Sequence, residues 1–470
     1  MLKLCAALTL ALVCIAGPAG AAEQKPPAQP DLKELLALRV DKQHQATGVV
    51  VGVVEASGER VVAYGTRGVK DSRPMDADTV FDVGSLTKIV TALLVADMAV
   101  RGEIALDDPV MKYLPADRVT MPTYLGSQIT FTDLATHTSG LPLRPDNLTS
   151  TDPDNKYAGY TLDNLYAFLS RFKLTRRIGS QYEYSNVGYG LIGPALANRT
   201  GKSWAELVRM RITAPLAMND TRADLTPDMK KRLAPGYTLD IATLTLTPAP
   251  HWDLGALESA GALRSTPRDM MKLLSAAVGL KPSPLSTAFE MTLKTRRTGG
   301  MDPANAIALG WNIYRSSLGH ELAWKNGNVG GFRTFIGFDK TARRGVVAFA
   351  NAQTGTGVDD IGLNLLDPAF PIETHIPRAH KEITLAPAVL DRYVGRYKFS
   401  ETDIISIERK DKYLLCQVGP DKLQLFPESE RDFFLKIADI QLTFDAIVDG
   451  RAQKVVWHQN GQKQVGQRVN

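Results

Sequence analysis

Residues 81–88 read Phe81-Asp82-Val83-Gly84-Ser85-Leu86-Thr87-Lys88 and run straight into the apolar stretch Ile89 to Met98. That stretch is apolar on nearly all sides, which predicts a buried helix. Arg101-Gly102 ends it, with the glycine suited to the position just past a helix C-terminus. If the helix starts at Ser85, the side chains of Ser85 and Lys88 lie on one face, one turn apart. The Ser85 N–H is then among the first unpaired donors of the helix. A serine hydroxyl is a weak nucleophile and needs a base beside it. A lysine can serve only when neutral, and bringing its pKa from about 10.4 to about 7 takes roughly 4–5 kcal/mol of environmental work. Burial and a second cation nearby both push that way.

Ser-x-x-Lys alone is a weak signal. Ser170-Arg171-Phe172-Lys173 repeats the spacing beside Arg176 and Arg177 and reads as solvated surface. What distinguishes the first copy is its company. Gly179-Ser180-Gln181-Tyr182-Glu183-Tyr184-Ser185-Asn186 puts a phenol, Tyr184, and a carboxamide, Asn186, on one short loop. The phenol can relay a proton between serine and leaving group, and the carboxamide can hold a substrate carbonyl. Tyr182 is a rival phenol but lacks an asparagine two residues on. Further along, Trp324-Lys325-Asn326-Gly327-Asn328-Val329-Gly330-Gly331-Phe332 opens an apolar, strand-like region. Lys325 and Gly327 there can present a cation and an open backbone edge. The Asn328 N–H can pair with that of Ser85 as an oxyanion donor, a contact whose loss typically costs about 2.7–4 kcal/mol of barrier.

The order Ser-x-x-Lys, Tyr-x-Asn, Lys-x-Gly resembles the serine β-lactamase and penicillin-binding-protein superfamily, and within it the class C β-lactamases and their D,D-peptidase and esterase relatives. Linking stretches agree, among them His137-Thr138-Ser139-Gly140-Leu141-Pro142 and Gly261-Ala262-Leu263-Arg264-Ser265-Thr266. The resemblance spans about Leu32 to Asp367. It implies an α+β fold: an antiparallel sheet flanked by helices, an all-helical subdomain, and a crevice between them. It also implies roles. Ser85 would form an acyl-enzyme, and Lys88 and Tyr184 would shuttle the proton. Asn186 would bind the substrate amide, Lys325 its carboxylate, and the Ser85 and Asn328 amides the oxyanion. The tail resembles the small lipocalin-like β-domain attached to such hydrolases. This sequence departs from the family pattern at Asp82, Thr87 and Asn326. The last replaces the threonine of Lys-Thr-Gly and removes a hydroxyl from the carboxylate subsite.

The rest of the chain frames this. Met1-Leu2-Lys3, an apolar run from Leu4 to Ala16, Gly17-Pro18 and small residues through Ala22 read as a secretory signal peptide over 1–22. The product is then periplasmic or secreted, with no membrane span in the mature chain. Cys5 and Cys14 leave with the signal, so Cys416 has no internal partner; it reads as a small buried hydrophobe. Gly48 to Val54 and Arg60 to Tyr64 predict a β-hairpin. Residues 161–172 carry apolar positions at helical spacing. Thr266-Pro267, with Asp269 three on from Thr266, opens a helix through Leu274. After about Arg378, short β-rich runs predict a separate all-β barrel or sandwich. The domains expected are therefore 32–370 and 384–470.

With 470 residues, 44% of them hydrophobic, the chain buries a core without cross-links. Its net charge of +5 is dispersed, with no basic tail for nucleic acid. Gly188-Tyr189-Gly190-Leu191-Ile192-Gly193 matches a dinucleotide fingerprint but opens no βαβ unit, so helix packing explains it better. No H-E-x-x-H or cysteine pair predicts a metal, and no cofactor is implied. His137 reads as a structural histidine, and Thr87 and Ser139 as capping or turn hydroxyls. The function expected is an exported serine hydrolase, β-lactam hydrolysis first. D-alanyl-D-alanine carboxypeptidase or endopeptidase action on peptidoglycan comes next, then a carboxylesterase and a slow-acylating penicillin-binding sensor.

Overall fold

The computed structural model describes residues 31–300, 305–355, 357–419, 421–459 and 461–469. The segment read as a signal peptide lies outside them.

Strand β1, Gly48–Glu55, shows how the fold is organised. Val49, Val51 and Val53 enter one buried cluster, while Val50 and Val54 enter another. Successive side chains point to opposite faces, so a run apolar at nearly every position means a sheet covered on both sides. β2 (Gly58–Gly68) and β3 (Asp71–Pro74) follow by hairpins. The chain then leaves the sheet and returns as β4 (Arg296–Thr298), β5 (Ala306–Ala308), β6 (Asn312–Arg315), β7 (Glu321–Val329), β8 (Phe332–Asp339) and β9 (Arg344–Ala350). The nine-stranded order is β3-β2-β1-β9-β8-β7-β6-β5-β4. Antiparallel pairing of Val49 with Ala350 joins the two halves of the chain at its centre.

Helix Pro267–Ala277 covers one face, capped by the Thr266 side chain, and runs one turn beyond Leu274. Gly52 lies under it, where a Cβ would come within 2.4 Å of Met271 Sδ. Segment Leu32–Lys42 and helix Asp359–Leu366 cover the opposite face, and the buried Arg39–Asp360 ion pair joins them. The chain between β3 and β4 is mostly helical. Its central helix, α1 (Thr87–Val100), is buried from Thr87 to Met98. The one hydroxyl of its middle, Thr91, donates to Ser259 O at 2.8 Å and accepts Trp204 Nε1–H at 3.1 Å. α2, Asn186–Thr200, starts at the Ser185 cap. A Cβ on Gly190 would meet Leu257 at 2.3 Å, and one on Gly193 would meet Ser259 Oγ at 2.7 Å. That glycine run is a helix-packing surface.

Beyond the linker, eight strands from Gly395–Lys398 to Gln462–Val469 close into an antiparallel barrel. Its interior is filled by Tyr393, Tyr397, Leu414, Leu425, Phe433, Leu442 and Phe444. Eight strands leave room for side chains and little else. Cys416 is part of this core, and burial pushes its thiol up to about 12. Among the described residues no helix is long and apolar enough to cross a membrane.

Two local expectations are corrected. Ser85 is not in the α-helix: it sits in a single 3-10 turn, Gly84–Leu86, and α1 begins at Thr87. Gly84, just before the serine, has φ of +53°, a left-handed geometry that glycine adopts at no steric cost. Thr87 caps nothing; its Oγ1 accepts Leu263 N–H at 3.1 Å and fastens α1 to the next loop.

Candidate active site

The 3-10 turn puts Ser85 at the mouth of α1 and leaves Lys88 in its first turn, fully buried. Lys88 Nζ lies 3.2 Å from Ser85 Oγ, 2.9 Å from Asn186 Oδ1 and 2.6 Å from the Ala260 carbonyl oxygen. Among the described residues no carboxylate pairs with it. Burial holds its pKa well below the usual lysine range, and Lys325 pushes it further down.

The Tyr-x-Asn segment arrives from the other side. Tyr184 O–H donates to Ser85 Oγ at 2.6 Å. Burial raises its pKa far above the ordinary phenol value, so at neutral pH it stays a donor. Asn186 opens α2, its Nδ2 donating to Tyr157 O–H oxygen at 3.1 Å and its Oδ1 accepting from Lys88. Ser185 caps the helix through Gly188 N–H and donates to Pro142 O. Ser139, in the loop leading to Pro142, accepts Leu141 N–H, as a turn hydroxyl does.

β7 forms the third wall. Lys325 is 1% exposed, and burial lowers its pKa to about 7. Its Nζ lies 4.7 Å from the Tyr184 ring centroid, and Lys88 Nζ lies 4.9 Å from the same centroid. Two amines thus flank one phenol. A Cβ on Gly327 would come within 2.2 Å of Val83 O and 2.3 Å of Thr334 Oγ1, so glycine is what lets β7 touch the serine turn. A Cβ built on Gly84 would lie 3.3 Å from Asn328 N, which sets that amide next to the turn. Pairing of β6 with β7 stops at Trp324, and the edge beyond it is unpaired by β6. Asn326 points elsewhere. It shares a face with Trp324 and donates to Asp359 Oδ2 at 2.6 Å, behind the sheet. On the front face, the Thr334 hydroxyl donates to Val83 O at 3.0 Å.

The folding therefore gathers Ser85, Lys88, Tyr184, Asn186, Lys325, Gly327 and Asn328 in one crevice. Two participants, the Ala260 carbonyl and Tyr157, carry no signal in the sequence. The Ala260 carbonyl is a main-chain group that any residue supplies, so no motif marks it. Tyr157 lies in a segment without regular pattern. Asp82, three residues before the serine, accepts from Arg264 Nε at 2.9 Å and meets His251 Nδ1 at 2.9 Å, locking the strand before the turn to the chain on both sides of Ala260. Among the described residues no group of three or more His, Cys, Asp or Glu could hold a metal ion.

Comparisons with known proteins agree with this geometry. Residues 30–369 match the Beta-lactamase family, and residues 379–468 match a Domain of unknown function (DUF3471). The chain is 32% identical over 303 residues to D-alanyl-D-alanine-carboxypeptidase/endopeptidase AmpH of Escherichia coli (strain K12), covering 62% of this chain and 76% of that protein. Its fold is similar to a class C beta lactamase from Rhodobacter sphaeroides (TM-score 0.57, 26% identity, 68% of this chain and 94% of that one). It is also similar to the octameric penicillin-binding protein homologue from Pyrococcus abyssi (TM-score 0.63, 22% identity, 93% and 100%), a likeness that extends through the barrel. With the crevice, the sheet and these matches in agreement, the chain belongs to the beta-lactamase family of serine hydrolases.

Proposed function

We propose that this chain is an exported hydrolase in which Ser85 takes the acyl group of substrates carrying a carboxylate beyond the scissile amide, D-alanyl-D-alanine peptides first. The observation that carries this is Lys325, a buried amine 4.7 Å from the ring of Tyr184, the residue that donates to the nucleophile, and without an acidic partner among the described residues. An amine so placed gains its proton when a carboxylate arrives.

The contacts of Lys88 support its reading as the base. A neutral amine has two hydrogens and one lone pair. The Ala260 carbonyl and Asn186 Oδ1 are acceptors, at 2.6 and 2.9 Å, and occupy both hydrogens. The lone pair is left for the Ser85 hydroxyl. Ser85 gives its proton to Lys88 as Oγ bonds to the substrate carbonyl carbon, and the Ser85 and Asn328 N–H groups receive the oxyanion. The tetrahedral species then collapses, and the C–N bond breaks. Tyr184 passes its proton to the leaving nitrogen and takes one from Lys88, which returns that base to its neutral form. Water next attacks the acyl-serine, gives up a proton to the same pair, and releases the acid and the Ser85 hydroxyl.

β-Lactam hydrolysis shares every acylation step and is the second reading, supported by the likeness to the Rhodobacter enzyme. The peptide reading stands ahead for two reasons. The relative at 32% identity is a carboxypeptidase/endopeptidase. The residue in the middle of Lys-x-Gly, Asn326, is turned to Asp359 and puts no side chain beside Lys325. Purified protein is offered a D-alanyl-D-alanine peptide, a chromogenic cephalosporin and a short nitrophenyl ester at equal concentration. Release of D-alanine faster than cephalosporin opening supports the first reading; the reverse order installs the second; ester cleavage alone overturns both. Ser85→Ala is expected to abolish all three rates. Export is tested by fractionating cells that express the full chain, where retention of an unprocessed N-terminus in the cytoplasm would refute it.

A further inference from the structure

His137 is fully buried and takes no part in the chemistry above. It brackets the catalytic tyrosine. Its carbonyl oxygen accepts Glu183 N–H at 2.7 Å, and its ring Nδ1 accepts Ser185 N–H at 3.1 Å. These are the two residues on either side of Tyr184. Its ring lies against the Tyr184 ring, with centroids 4.4 Å apart and planes at 36°. One residue thus grips the Tyr184 backbone before and after, and its side chain from one face.

We propose that His137 is a positioning residue for Tyr184, fixing the phenol on Ser85 Oγ through the Ser185 N–H bond and the ring contact; this rests on the reading of Tyr184 as proton relay. The identity of the residue follows from three demands. The backbone there has φ of +58°, which histidine and asparagine tolerate better than most side chains. The Ser185 N–H needs an acceptor at the first side-chain branch. The Tyr184 ring needs a flat, neutral neighbour, because two lysines already flank it at 4.7 and 4.9 Å. With Nδ1 accepting, the neutral ring carries its hydrogen on Nε2, which makes no hydrogen bond among the described residues. The hydrogen bond and ring contacts that hold the ring among the described residues are thus to the tyrosine segment and to its aromatic neighbours, Tyr182 and Tyr189. Burial keeps the ring neutral, and protonation of either nearby lysine pushes the same way.

The test is a double-mutant cycle read as the acylation rate of Ser85 by a chromogenic cephalosporin, per mole of folded protein. His137→Phe keeps a ring but removes the acceptor. His137→Asn keeps an acceptor at the same branch and tolerates the positive φ. The expectation is a slowing of about 10- to 100-fold for His137→Phe and less than about fivefold for His137→Asn, following the range for misplaced catalytic groups. Introduced into Tyr184→Phe, neither change is expected to slow acylation by more than about twofold, since residues acting through one group are non-additive. A full, additive slowing in that background overturns the proposal, as does a folded His137→Asn that loses as much as His137→Phe. If His137→Phe fails to fold, the His137→Asn arm decides alone: loss beyond about 50-fold refutes positioning by the Nδ1 acceptor. If Tyr184→Phe leaves acylation untouched, the relay reading itself falls, which is a different result from additivity.

Discussion

Lys88 and Lys325 approach the same tyrosine ring, yet burial acts on them to different ends. Two acceptors face the Lys88 amine, which fits the base role proposed for it; burial lowers the Lys325 pKa to about 7, which fits the carboxylate-binding role proposed for it. In the unfolded chain a lysine titrates near 10.4. Between about 7 and 10 the unfolded state therefore holds a proton that the folded state lacks, so stability rises with pH across that window and carries the full penalty below it. Lys325→Met removes the penalty, on the order of a few kcal/mol at pH 6. The expected outcome is a higher Tm at pH 6 with a loss of about 100-fold or more in kcat/KM for a D-alanyl peptide, measured by calorimetry and D-alanine release. A Tm that drops would show that Lys325 is stabilised by something other than substrate. In the parent protein, kcat/KM for the carboxylate substrate is expected to fall above about pH 7 as free Lys325 loses its proton, while that for a neutral nitrophenyl ester does not. Coincident alkaline limbs for the two substrates would remove Lys325 from carboxylate recognition.

The catalytic groups meet because short stretches of backbone, rather than whole helices, come close. Gly327 admits the Val83 carbonyl at a distance no Cβ permits. Gly327→Ala is expected to push β7 off the serine turn, lowering acylation by 10-fold or more and stability by about 1–3 kcal/mol. Gly102→Ala makes the control: its φ of +71° is strained but nothing lies within 4 Å of the added carbon, so stability alone is expected to suffer. Equal activity loss in both would mean the close approach is immaterial. The sequence placed these elements well, because helix α1, the hairpin and the Thr266 cap each depend on local pattern. It misread details that depend on the third dimension. The pattern allows a helix start at Ser85, whereas a 3-10 turn opened by the left-handed Gly84 precedes the helix. Asn326 was judged by its missing hydroxyl, whereas the alternation of a strand puts Lys325 and Gly327 on the crevice side and Asn326 behind. Asn326→Ala is accordingly expected to leave Ser85 acylation within about threefold and to cost about 1 kcal/mol by stripping a donor from partly buried Asp359. A large loss of acylation with unchanged stability would put Asn326 back at the substrate.

At the scale of the whole molecule, three clusters of buried side chains divide the chain unevenly. The two that sandwich the nine-stranded sheet draw on residues from Leu35 to Leu366. The third runs from Leu390 to Val455 and is shared with neither. The linker between them is fastened to both sides by polar contacts: Gln43 Nε2 donates to His375 O and His380 N–H to Ala242 O on the catalytic side, while Arg378 and His380 meet Glu428 on the barrel. The boundary that sequence texture suggested near 370–384 is thus a proposal about independent folding, and it has a direct test. A chain ending at Lys381 keeps every residue of the crevice and both catalytic clusters, and is expected to fold with the parent kcat on a nitrophenyl ester to within about threefold. Calorimetry of the full chain is expected to show two transitions, with the one missing from the shortened chain belonging to the barrel. A single cooperative transition, together with an insoluble or inactive shortened chain, would mean that the barrel is part of the hydrolase fold. A shortened chain that cleaves the ester normally but releases D-alanine from cross-linked peptidoglycan far more slowly than from a free peptide would instead assign the barrel to holding the polymer.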